Sequence, residues 1–151
     1  MSKRRGLSEK PSPSETYLTE RSAIPWWIRI VVSLVALLLA AGAGIALVHP
    51  EMMLAPGDAM NGAAHIYAGY MASRNFALAI MLVVLLILSA KRALANVMVL
   101  VALVQLLDAG IDCAEGRWTI VPGVLIIGLV FVIAAARLSG NPFWKAEAWR
   151  P

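Results

Sequence analysis

The chain has 151 residues, of which 60% are hydrophobic and 15% charged, with a formal charge of +4. An ordinary soluble domain is about half apolar and about a quarter charged, so this composition excludes a disordered chain, a disulfide scaffold and a typical soluble enzyme. It points to a membrane.

The basic balance is read as a topology signal and not as a nucleic-acid surface, because Lys and Arg stand beside apolar runs. Cys113 is the only cysteine, which excludes an intrachain disulfide and a cysteine cluster for metal or heme.

Residues 1–24 are rich in Ser, Pro, Glu, Lys and Arg. Such a segment buries too little apolar surface to offset its ordering entropy, so a disordered tail is expected. Residues 30–48 are an uncharged run of 19, close to the ~20 needed to cross about 30 Å of hydrocarbon. Trp26 and Trp27 precede it, where interfacial aromatics belong. The long polar tail ahead and the apolar segments behind argue against a cleaved signal peptide.

Residues 49–62 form a loop with two prolines, two glycines and two acids. An amphipathic stretch follows, then an uncharged core over 76–90 that Lys91 and Arg92 close. A third run covers 93–107, before the short acidic loop DAGIDCAEGR. The fourth run is 118–136, with Pro122 in its first turns, where a missing N–H costs least. The last segment carries Phe143, Trp144 and Trp149 among basic residues and is expected to lie on the membrane surface.

The pattern predicts an all-α, four-helix transmembrane bundle over 25–137, with helices near 26–48, 67–90, 92–112 and 118–137. A tail over 1–24 and a short interfacial tail over 138–151 flank it.

Charge orients the bundle. Lys3, Arg4, Arg5, Lys10, Arg21, Arg29, Lys91, Arg92, Arg137, Lys145 and Arg150 fall on one side, eleven of thirteen positive charges. Arg74 and Arg117 fall on the other. Cytoplasmic segments carry the excess of Lys and Arg, so both termini are expected in the cytoplasm, and a bacterial inner membrane suits the pattern.

The second hairpin holds the candidate site. Its uncharged cores have 15 residues each, too few to span alone, so the helices must take in Arg74 and Asp108. Each lies 17 residues from Lys91 (91 − 74 and 108 − 91), hence at one depth, about 25 Å from the turn. Gln105, Asp108 and Asp112 are spaced i, i+3, i+7 and share a helix face. With Asn75, Tyr70 and His65 they make a candidate polar cluster. Ionisable groups in membrane segments face the bundle interior or a wet cavity and mark functional sites. The alternatives are a structural Arg–Asp tie, a ligand or partner pocket, and plain interfacial charges.

His49 and His65 lack the i, i+4 spacing of a helix-borne zinc site, and no metal or cofactor is expected. Ala40 and Gly44 have small-xxx-small spacing, and Gly42, Gly123 and Gly128 are also small. They serve bundle packing or a homo-oligomer seam. Met81 and Met98 are expected in the core.

The stretches YMASRNFALAIM and KRALANVMVLVALVQLLDAGID resemble small four-helix bacterial membrane proteins grouped loosely with DoxX-like proteins. The likeness rests on Arg74 and Asn75 opening helix two, the Lys91–Arg92 turn, and Gln105 and Asp108 near the end of helix three. It covers roughly residues 65–115. It implies a compact bundle, mostly without assigned activity. Some DoxX-like proteins are implied to be accessory subunits of quinone-linked oxidoreductases, but no redox motif carries over to these residues.

The first functional expectation is a non-enzymatic accessory or scaffold subunit that binds membrane lipids, a membrane protein partner or its own copies. The second is a binding protein or enzyme for a quinone- or isoprenoid-like amphiphile at Arg74 and Asp108, with Asp108 as base in the enzymatic case. The third is an oligomeric transporter.

Overall fold

The computed structural model describes residues 24–54 and 59–140. The expected tails lie outside them, except for Ile24 and residues 138–140. Four α-helices follow in order: α1 (Trp26–Val48), α2 (Gly62–Ile87), α3 (Lys91–Ala114) and α4 (Val121–Ser139). A 3-10 turn, Pro50–Met53, follows α1. No strand occurs among the described residues.

All four helices are long and apolar enough to cross a membrane. Only 22–33% of the most apolar stretch of each is buried inside the bundle. Leu37, Ile80 and Ile126 are more than 60% exposed on the outer faces. Helices that are apolar all round and present so much of that surface outward are stable against hydrocarbon and not against water. The chain is an integral membrane protein.

The helix ends explain where the boundaries depart from the sequence pattern. Helix α2 starts at Gly62 and not near 67, because Asn61 caps it: its Oδ1 accepts the Ala64 N–H at 2.9 Å. It stops at Ile87 and not at 90. There the Ala90 N–H donates to the Leu85 carbonyl and the Ser89 N–H to the Leu86 carbonyl, both at 3.1 Å. This is a Schellman ending with Ser89 at the left-handed position, φ 52°, where glycine is usual.

Helix α3 runs to Ala114, so much of the expected acidic loop 108–117 is helical. Its end has the same form, with Gly116 at φ 72° and the Arg117 N–H on the Asp112 carbonyl at 2.8 Å. Helix α4 begins at Val121, not at Trp118, with Pro122 in its first turn, where no intrahelical donor is missing.

Helices α1 and α2 pack closely, as do α3 and α4, while α2 and α3 meet along fewer residues. The main core lies toward the Lys91–Arg92 turn and draws on all four helices: Ile28 and Val32, Leu82, Leu94 and Met98, and Phe131. Met81, expected in this core, is 48% exposed instead.

In the other half, Ala43 and Ala46 of α1 pack on Ala68 and Ala72 of α2. Met71, partly buried, packs against this small-residue contact. Gly42, Gly44 and Gly123 sit in open space, so the Ala40/Gly44 spacing makes no close seam within the bundle; Gly128 is the helical glycine in contact.

Ser89→Gly should raise stability by up to about 1 kcal/mol, because a left-handed residue with a Cβ is strained. Ser89→Val should lower it by at least as much. Thermal melts in detergent check both.

Candidate functional site

The turn expected at Lys91–Arg92 falls at 88–90, because the α2 ending forms there and Lys91 already opens α3. The two helices leave it antiparallel, and Arg74 and Asp108 meet toward their far ends. The guanidinium grips the carboxylate with two hydrogen bonds, Nη1 to Oδ1 at 3.2 Å and Nη2 to Oδ2 at 2.9 Å. This fork is the strong form of an Arg–carboxylate contact. The two side chains are 41% and 28% exposed, so the pair stands at a boundary and not in the core. It bridges a helix seam that is less closely packed than α1–α2 and α3–α4.

One helical turn further along α3, Asp112 pairs with Arg117 Nη1 at 3.5 Å. The Schellman ending holds the Arg117 backbone against Asp112 as well. Arg117 is the cluster member that the sequence pattern missed, since it stands outside the apolar runs. The signal was local: a glycine before it, four residues after Asp112, sends the chain back over the helix end.

Asn75 is 8% exposed, the buried polar residue of the described core. It occupies the alanine face of α2, in line with Ala68, Ala72 and Ala79. None of the hydrogen bonds among the described residues engages its side chain, and none of its polar atoms is fully occluded.

A cleft of about 720 Å³ joins Arg74, Asn75, Gln105, Asp108, Asp112 and Arg117. That size is ordinary for a small-molecule site (about 300–1,000 Å³). Tyr67 and Tyr70 line its rim, 72% and 69% exposed. Pro50 and Leu54 close it from the first loop, and Val124 from α4. The face shared by Gln105, Asp108 and Asp112 thus looks into one space. His65 is exposed and lies off this lining.

His49 sits apart, with Nδ1 2.9 Å from Glu51 Oε1. The Glu51 carboxyl is held below the usual glutamate range, first by its own backbone N–H and then by the His49 side chain. Among the described residues, no three His, Cys, Asp or Glu side chains converge.

The arrangement offers donors from Arg74 and Arg117, acceptors from Asp108 and Asp112, and both kinds from Asn75 and Gln105. It suits recognition of a polar group. Comparison of the chain with family models, curated proteins and solved structures gives no match.

Arg74→Asp and Asp108→Arg should each lower stability by about 1–3 kcal/mol, since each leaves a like-charge pair at the seam. Combining them should recover at least half of the summed loss. Unfolding of the reconstituted single and double variants measures this, and a double variant no better than the singles would show the pair to be independent.

Proposed function

We propose that this integral membrane protein is a non-enzymatic binder of a lipid or lipid-like amphiphile, whose polar head enters the cleft at Arg74, Asn75 and Asp108. The observation that carries this reading is Asn75. Asn75 is a largely buried residue whose amide atoms stay accessible and make no hydrogen bond with the described residues, so they are available to a polar group that enters the cleft.

Charge narrows the head group. Arg74 and Arg117 balance Asp108 and Asp112, so the lining is electrically neutral. A strong anion or cation would compete with the carboxylates or guanidiniums for their present partners. An uncharged or zwitterionic head adds hydrogen bonds and leaves both pairs in place.

The orientation proposed with this function rests on the charge count. The turn at 88–90 lies on the cytoplasmic side with both termini, and the cleft opens toward the opposite leaflet. A bacterial inner membrane fits that pattern, and the likeness of the second hairpin to DoxX-like proteins is in keeping with it.

Native mass spectrometry of the protein, purified in mild detergent, tests the binding. One small amphiphile should stay with the wild type. Asn75→Leu, which keeps the branched shape and removes the amide, should lower retention at least tenfold while the thermal melt is maintained. A stoichiometric protein partner in place of any small molecule would overturn the reading.

For topology, Leu88→Cys and Met60→Cys in a Cys113→Ser background should react with an impermeant thiol reagent from opposite sides. Labelling from the same side would overturn the orientation.

A further inference from the structure

A second hollow of about 610 Å³ lies between α3 and α4. Its walls are Val99, Leu103 and Leu106 on one helix and Leu125, Leu129 and Val132 on the other, all apolar. Gly128 and Ala102 form its floor, because neither has a side chain long enough to fill the space.

This groove adjoins the polar cleft. Val124 lines both. Gln105 lines the cleft, and a Cβ placed on Gly128 would lie 3.6 Å from the Gln105 Cβ. The polar end and the apolar end therefore touch across one helical turn. From Val124 to Val132 is eight residues, about 12 Å along α4. The groove runs from the cleft toward the middle of the bilayer, which is the direction a lipid chain takes from its head group.

We infer that the groove holds the hydrocarbon chain of the same amphiphile whose head occupies the cleft. The ligand is a molecule of one leaflet with an uncharged or zwitterionic head, and its chain lies between α3 and α4 over Gly128. This inference rests on the proposed binding function and adds the path of the chain.

Bulk lipid also covers the outer faces of the helices, so the prediction is one of preference. A held chain spends its time on the groove walls, whereas free lipid samples every exposed apolar residue alike. Leu37 and Ile80 are 66% and 62% exposed and lie off the groove, so they report free lipid. Leu103 and Leu129, 51% and 61% exposed, report the groove.

The test uses the full chain in phosphatidylcholine vesicles with a trace of lysophosphatidylcholine that carries a photoreactive diazirine in its acyl chain. After illumination, mass spectrometry locates the adducts. Labelling of residues 99–106 and 124–132 should exceed that of the segments with Leu37 and Ile80 at least fivefold.

Gly128→Ala should preserve the preference, since the added Cβ meets its neighbours at ordinary contact distance. Gly128→Leu fills the floor and should bring labelling down to the level of the control segments. Should Gly128→Leu fail to fold, Leu103→Trp crowds the groove from its outer wall and should give the same loss.

Even labelling along all exposed faces in the wild type overturns the inference, as does full preference in a folded Gly128→Leu variant. The cleft is judged separately by the retention assay on Asn75→Leu. Lost retention there, together with even labelling here, removes the chain path and leaves the head-group site standing.

Discussion

Everything distinctive in this bundle turns on two opposite charges that meet across a membrane hairpin. Arg74 lies 13 residues before the end of α2 (87 − 74) and Asp108 lies 17 into α3 (108 − 91), and the antiparallel helices with the long arginine side chain bring the two together with two hydrogen bonds. A lone charge at this depth would be drawn to water or to head groups. Paired, the two can stay between the helices, and the helices can leave the space beside them unfilled. The ion pair joins α2 to α3 at the end where apolar packing does not.

The two halves of the bundle follow from that. Toward the basic turn, large side chains such as Phe131, Leu82, Leu94 and Met98 interlock in a fully buried core. Dense packing of this kind fixes the relative positions of all four helices. Toward the other end the contacts thin to alanines between α1 and α2, while α2, α3 and α4 part around the cleft. A closely packed half thus carries an open half, in which the Arg74–Asp108 pair is the polar tie between α2 and α3. Such a scaffold lets a binding site be preformed and spares it part of the ordering cost of association.

The site is also chemically economical. Its ion pairs neutralise each other, its buried amide reaches the cleft, and its tyrosines sit at the rim, where an apolar ring and a polar hydroxyl each find a suitable medium. The apolar groove beyond Val124 continues the gradient from polar to apolar over about one helical turn, the same gradient that a lipid carries along its own length.

Sequence by itself determined the number of helices, because hydrocarbon thickness sets a length for each uncharged run and leaves the backbone no alternative to helix. It also pointed to Arg74 and Asp108 as partners, since a short turn makes the two helices antiparallel; the turn falls at 88–90 and not at Lys91–Arg92, and the length of the arginine side chain covers the unequal spacing.

Tertiary structure decided the rest. Helix ends moved because caps depend on individual hydrogen bonds, as at Asn61 and Ser89. Arg117 joined the cluster because a left-handed glycine reversed the chain over the end of α3. Asn75, one member of the expected polar cluster, is the buried one among these polar residues, since it falls on the alanine face of α2. His65 fell outside, being on an exposed face near the start of the same helix. The cleft and its groove exist only where helices diverge, and divergence depends on how side chains of different sizes meet across a seam. No period or spacing along one chain encodes that meeting.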